Sequence, residues 1–321
     1  MSTPSPSQPS APLTLMTVHA HPDDEAVGTA GVMARAVAEG RRVVLVTATR
    51  GEMGDIVIPE LDTPENHRRL GELRSAELEA AMGELGVTEW ENLGYRDSDM
   101  MGRPGNLDPR CFWQADPDEA IGRLVWLVRR YRPHVITTYN DFGGYGHPDH
   151  IRTHQVAVGA FLRAGDPRAY PRQLAAEHGG EGPPLAEGGL DPWEPLKLYE
   201  QAFSLARREG MAALAESLGQ KSFWSQPDDP AKAEEWETFM RRAAVDDAEI
   251  TTRVDVLAYL DRRFAALRAH RTQIRTDGPF SLLEQAPPDQ LRELAGTETF
   301  VLRESRVPTS LPEADLFAGV E

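Results

Sequence analysis

Nine histidines are spread over 321 residues, and five of them fall in two short stretches. One is His19-Ala20-His21-Pro22-Asp23-Asp24-Glu25. The other runs from Tyr139 to Gly143-Gly144-Tyr145-Gly146-His147-Pro148-Asp149-His150, with His154 one helical turn further on. Imidazole and carboxylate are the groups that zinc and related divalent metals bind, and a catalytic site uses three protein ligands plus a water. Two ligands from one stretch and one from the other would fill such a site. A lone His-Pro-Asp is also ordinary helix-start chemistry, with proline at the first helical position and acids in the first turn. That explanation covers Pro22 and one of the two aspartates. It covers neither the neighbouring histidine nor the second His-Pro-Asp, so a metal centre is the better reading.

The remaining candidates are weaker. Side chains alternate along a strand, so His19 and His21 need not face the same way, and His19 is expected to be structural. His67, His134, His178 and His270 have no partners by spacing and read as surface or satisfied core residues. Cys111 is the sole cysteine, so it forms no intrachain disulfide and no cysteine-based zinc cluster; it reads as a small buried hydrophobe.

These stretches need elements to hold them. Leu13 to Ala20 and Val43 to Thr49 are apolar runs of buried-strand type, and Gly28 to Glu39 between them carries helical spacing and ends at Gly40. Strand, helix and strand in about forty residues make a βαβ unit, hence a parallel sheet. The rhythm continues with a helix over Pro64 to Gly86, a weak strand at Glu89 to Leu93, a helix over Asp118 to Tyr131, a strand at His134 to Tyr139 and a helix over Pro148 to Ala164. Beyond that it degrades. Gly165 to Trp193 predicts a long loop, Leu196 to Phe203 a late strand, and Glu234 to Ala248 and Val254 to His270 helices, with a mixed final forty residues. The first twelve residues are Ser/Pro-rich and read as a disordered tail. The fold class is therefore α/β: a three-layer, Rossmann-like fold with a mainly parallel sheet, residues 13–321 forming one domain of which 165–321 is the more variable portion. In such sheets ligands bind beyond the carboxyl ends of the strands, where both histidine stretches lie.

Composition excludes other roles. With 34 basic against 51 acidic side chains the formal charge is −17, which argues against coating nucleic acid or a polybasic hold on membranes. No apolar run approaches the roughly 18 residues that span a bilayer, and the first twelve residues lack the features of a secretory signal, so a cytoplasmic location is expected. No G-x-S-x-G elbow, phosphate loop or dinucleotide fingerprint is present.

His21-Pro22-Asp23-Asp24-Glu25 followed by Gly146-His147-Pro148-Asp149-His150 resembles the LmbE-like (PIG-L) zinc deacetylase family. Arg50-Gly51-Glu52 and Arg74-Ser75-Ala76-Glu77 look like a further loop of it and the helix that follows, and Tyr95-Arg96-Asp97-Ser98 and Gly143-Gly144-Tyr145-Gly146-His147 are similar to segments of its mycothiol-pathway deacetylase and S-conjugate amidase branches. The closing Val307 to Gly319 resembles the amidase branch. The resemblance implies His21, Asp24 and His150 as zinc ligands, although Fe²⁺ suits the same set. It implies Asp23 as general base, His147 as an imidazolium that stabilises the oxyanion and protonates the leaving amine, Tyr145 on the substrate carbonyl, and Asp149 orienting a histidine. Arg74 and Asp97 would hold sugar or inositol hydroxyls, with Glu52 near the mouth. Arg74→Ala is then expected to alter KM without disturbing stability; otherwise Arg74 and Asp97 are a surface ion pair.

The amidase branch carries a lysine shortly after its first motif, where Ala26-Val27-Gly28-Thr29 here is small and uncharged. The implied activity is thus removal of an N-acetyl group from a small GlcNAc conjugate that is a precursor of a low-molecular-weight thiol. The alternatives are an amidase acting on thiol S-conjugates and a non-catalytic sugar- or metal-binding protein on the same scaffold. The expected partner is a small amino-sugar substrate, with no nucleic acid and no membrane; self-association is left open.

Overall fold

The structure, a computed structural model, describes residues 12–174, 189–219, 233–275 and 283–320. Residues 1–11 of the expected tail and His178 lie outside them. Seven strands form one sheet in the order β3-β2-β1-β4-β5-β7-β6. They are β1 (Thr14–His19), β2 (Arg42–Thr47), β3 (Glu89–Asn92), β4 (Val135–Thr138), β5 (Lys197–Gln201), β6 (Thr252–Asp255) and β7 (Thr297–Ser305). The first five are parallel, and β7 pairs antiparallel with both β5 and β6.

Strand alternation divides the core in two. Leu15, Val43, Leu45 and Val135 face one side, against Met33 of helix α2 (Ala30–Ala38), Leu78, Met82 and Leu85 of α3 (Leu70–Leu85) and Phe264 and Leu267 of α7 (Leu260–Ala269). Met16, Val18, Val44, Val46 and Ile136 face the other, against Leu124 and Val128 of α4 (Pro117–Tyr131) and Val156 and Phe161 of α5 (Pro148–Arg163). Two further helices, α6 (Leu205–Ser217) and α8 (Pro288–Ala295), accompany the late strands, and α1 (Asp24–Gly28) precedes α2. This is the expected three-layer α/β architecture.

The C-terminal portion departs from the sequence reading. The helix expected over Val254 to His270 begins only at Leu260, because Thr252–Asp255 is β6. Its alternation of buried Thr252 and Val254 with exposed Arg253 and Asp255 spans four residues, too few to stand out beside the longer helical pattern. The helix expected over Gly28 to Glu39 starts at Asp24 and is interrupted at Thr29. Part of the mixed final segment is the nine-residue β7.

Buried polar contacts tie this portion to the rest. Glu298 on β7 accepts from the N–H groups of Gly31 and Val32 at 2.9 and 2.8 Å, serving the amino end of α2, and Arg263 approaches it at 3.8 Å. At the amino end of β5, Lys197 donates to Glu313 at 2.5 Å and to the Ala318 carbonyl at 2.9 Å, while Tyr199 donates to Glu313 at 2.6 Å. Removing one partner of a buried ion pair costs about 3–5 kcal/mol, because the other charge is left without compensation. Glu313→Ala should therefore lower the unfolding free energy by about that amount in urea titrations. A loss below about 1 kcal/mol would show that Lys197 finds another partner or water.

Candidate metal centre and active site

Strands β1 and β4 are neighbours in the sheet, whereas β2 and β3 lie on one side of β1 and β5 on the far side of β4. The strand order reverses between them, and both histidine stretches emerge at that point. His21, Asp23, Asp24, Arg74, Asp97, Tyr145 and His147 line a cleft of about 450 Å³, together with apolar Val27, Met53, Met100 and Ile274.

The three residues assigned as ligands meet at its floor. His21 Nδ1 lies 3.3 Å from His150 Nε2 and 3.5 Å from Asp24 Oδ2, and Asp24 Oδ1 lies 3.4 Å from His150 Nε2. A tetrahedral ion bound at about 2.0–2.2 Å sets its ligands roughly 3.4 Å apart, a spacing each of these contacts approaches, with His21 and His150 facing different oxygens of Asp24. The outer ring nitrogens are already engaged. His21 Nε2 faces Asp149 Oδ2 at 3.2 Å, and His150 Nδ1 faces the Gly143 carbonyl at 3.1 Å. Those bonds would hold the ring protons outward and present the inner nitrogens to an ion, the usual second contact of metal-binding histidines. Asp149 is fixed in turn by Ser98, whose N–H donates at 2.9 Å and whose hydroxyl bonds the other carboxylate oxygen. His147 lies close enough to His21 and His150 to form a second grouping, of three histidines, and His21, Asp97, His147 and Asp149 form a further one. A buried group able to hold a metal is thus present.

Charge follows this geometry. Burial alone would lower the His21 pKa, but Asp97, Asp149 and Asp24 carry it well above its usual value. Burial would raise Asp24, yet His150 and His21 hold it well below the carboxylate range. Burial pushes the Asp23 carboxyl up to about 6 against the pull of Arg74, as suits a base that works near neutrality. Burial, reinforced by Asp24, keeps the Tyr145 hydroxyl protonated, and it sits 3.5 Å from His150 Nε2.

Two expectations need correction. His147 was expected as an imidazolium, but burial together with His21 and His150 pushes its pKa down to about 3. Its Nδ1 accepts the Asp149 N–H at 3.1 Å, so the neutral ring carries its proton on Nε2. Arg74 and Asp97 are no surface ion pair, being 4 and 3 % exposed. Arg74 donates to the Gly51 carbonyl at 2.9 Å and the Pro22 carbonyl at 2.6 Å, and it meets Asp23 Oδ1 at 3.1 Å. It ties two loops together, so Arg74→Ala will not leave stability untouched.

The others are placed as follows. Asp97 accepts from the N–H groups of Asp99 and Met53, and Glu52 accepts from the Asp97 N–H at 3.1 Å while facing an adjoining depression of about 300 Å³. Of Ala26 to Thr29 only Val27 borders the cleft. His19 is fully buried against Thr29 at 2.9 Å, Cys111 is fully buried, His67 is exposed beside Asp62, and His134 accepts from the Thr14 N–H. Sequence reasoning missed Tyr139, whose hydroxyl donates to Asp24 at 2.8 Å and whose ring stacks on His150 at 4.2 Å. Its place at the end of the His134 to Tyr139 run was the available signal. It also missed Ser98 and Ile274; the latter arrives after α7 with no motif to mark it.

Comparison with known proteins agrees with this geometry. The family model described as PIG-L, GlcNAc-PI de-N-acetylase, matches residues 16–161. A 1D-myo-inositol 2-acetamido-2-deoxy-alpha-D-glucopyranoside deacetylase of Geodermatophilus obscurus is 43% identical over 95% of this chain and 97% of its own. The chain belongs to the PIG-L family. A relative of the same description from Thermobispora bispora is 40% identical, covering 95% of this chain and 98% of its own. Among solved structures, the N,N'-diacetylchitobiose deacetylase of Pyrococcus horikoshii superposes with a TM-score of 0.58 at 19% identity, covering 90% of this chain and 83% of its own, which shows a shared fold.

Loss of an outer-shell partner typically weakens metal binding by about 10–100-fold. Asp149→Asn should do so here, because an amide NH₂ would face either the His21 ring or Ser98. Competition with a chromophoric chelator measures it, and unchanged affinity would remove Asp149 from the support of the centre.

Proposed function

We propose that this chain is a zinc-dependent hydrolase that removes the N-acetyl group from 1D-myo-inositol 2-acetamido-2-deoxy-α-D-glucopyranoside or a closely similar GlcNAc conjugate in the cytoplasm, residues 13–321 acting as one unit. The observation that carries the reading is the match over nearly the whole chain to deacetylases of that substrate, joined to a donor set with tetrahedral spacing. His21, Asp24 and His150 would hold the ion. Bound there, zinc supplies Lewis-acid polarisation of the amide carbonyl and a lowered pKa for water.

The protein's own groups do the rest. Asp23 takes a proton from the attacking water, its carboxyl poised by burial and oriented by Arg74. His147 directs Nε2–H toward the oxygen on which charge develops, and Tyr145 offers a second hydroxyl donor. The proton held by Asp23 then passes directly to the departing amine, while the Nε2–H of His147 stays on the developing oxyanion. Asp97 keeps lone pairs for sugar hydroxyls, with Arg74 and Glu52 behind it. A purely binding role is disfavoured, because holding a metal requires neither Asp23 nor the Nε2–H of His147.

The amidase alternative rested on the closing segment, and its placement removes that support. Glu313 and Ala318 lie against Lys197 at the amino end of β5, and Asp315 binds Arg41 at 2.9 Å, so the segment packs at the sheet edge opposite the cleft. It supports the scaffold without reading the substrate.

Asp23→Ala should retain stoichiometric metal and lose about 10²–10⁴-fold in kcat. Loss of metal instead would mean that the roles of Asp23 and Asp24 are exchanged. In a side-by-side assay the GlcNAc-inositol conjugate should show the higher kcat/KM, and a preference for a bulky thiol S-conjugate would overturn the substrate assignment.

A further inference from the structure

Asp23 occupies a backbone conformation that aspartate disfavours. Its φ of 114° and ψ of −28° are left-handed, a strain of roughly 1–3 kcal/mol that persists only where the surroundings impose it. Glu25 imposes it. One of its carboxylate oxygens accepts the Asp23 N–H at 2.9 Å, and the other meets Nε2 of His270 at 2.6 Å. Glu25 and His270 are each 0 % exposed. The histidine comes from the far end of α7, in the portion of the chain where the sequence offered no motif. Burial opposes its charge, but Glu25 raises its pKa above the usual value, and Nε2 is the donor that faces the carboxylate. A buried pair of this kind adds little net stability compared with apolar packing. Its geometric effect is to orient the Glu25 carboxylate, which without a donor on its outer oxygen is free to rotate away from the Asp23 amide.

We propose that His270 is a positioning residue for deacetylation, acting through Glu25 to hold the Asp23 backbone in its left-handed conformation and so to aim the Asp23 carboxylate at the water it deprotonates. The inference rests on Asp23 being the general base. The base is then held at two points: its backbone by Glu25 and His270, its side chain by Arg74. A purely structural histidine at this position would influence folding but not the chemical step.

His270→Met and His270→Gln are close in length, but only the glutamine can donate to Glu25. Metal content and thermal unfolding establish first that each variant is folded and loaded. His270→Met should lower kcat by roughly 10- to 100-fold with KM changed less than about twofold, since a small misplacement of a reacting group has that scale of effect. His270→Gln should recover most of the loss. In the Asp23→Ala background, His270→Met should have no further effect on residual turnover, because the group it positions is gone. If His270→Met does not fold, His270→Asn, too short to reach Glu25, replaces it under the same criteria. A kcat within about twofold of the parent overturns the inference, and so does an equal loss in the presence and absence of Asp23. Full turnover by Asp23→Ala alone overturns the base assignment, and this inference with it.

Discussion

Everything at the site depends on two strands that are distant in sequence and adjacent in space. Thr17 of β1 pairs with Thr137 of β4, and beyond that pairing the chain leaves β1 toward α1 and β4 toward α5. Because the sheet grows outward on opposite sides of this pair, the two loops diverge and open a crevice between them. Parallel pairing puts both carboxyl ends at the same edge. A histidine and an aspartate from one loop can therefore face a histidine from the other, and the first helical turns of α1 and α5 begin beside them.

Such a crevice concentrates charge where water is scarce, and each group is compensated. His21 lies among Asp24, Asp97 and Asp149; Asp149 is bound by Ser98; Asp24 is bound by Tyr139 and the His21 amide; Asp23 is bound by Arg74. These partners are shared among the groups, so catalytic and supporting roles are hard to separate at this site. The opposed environments of neighbouring Asp23 and Asp24 illustrate the point. Both are partly buried, but one faces Arg74 and the other faces two imidazoles, which sets one carboxyl near neutrality and the other far below.

Much of this was legible in the sequence. The sequence runs around β1, β2 and β4 are almost continuously apolar because these strands are buried on both faces, and such runs stand out between turn residues. The paired His-Pro-Asp stretches announced themselves because two rare patterns recurred at strand ends. The protonation of His147 was not legible, since it depends on which neighbours crowd the ring. Nor was the burial of Arg74, which follows from the way Gly51 lets the guanidinium approach the backbone: a Cβ at Gly51 would lie 2.2 Å from that side chain. Four-residue β6 and the contacts of His270 were also hidden, because they are set by pairing across more than forty and more than two hundred residues respectively.

Glu298 carries a consequence for how the C-terminal half can vary. The amino end of α2 has no side-chain cap of its own, and its acceptor comes from the start of β7. Along β7, Glu298 and Phe300 are buried while their neighbours are more open. Slipping the strand by one residue would turn Glu298 to the opposite face, leaving two helical N–H groups without their acceptor and the buried Arg263 without its nearby carboxylate. The alignment of β7 against β5 and β6 is thus fixed from a distance by the helix that follows the first histidine loop.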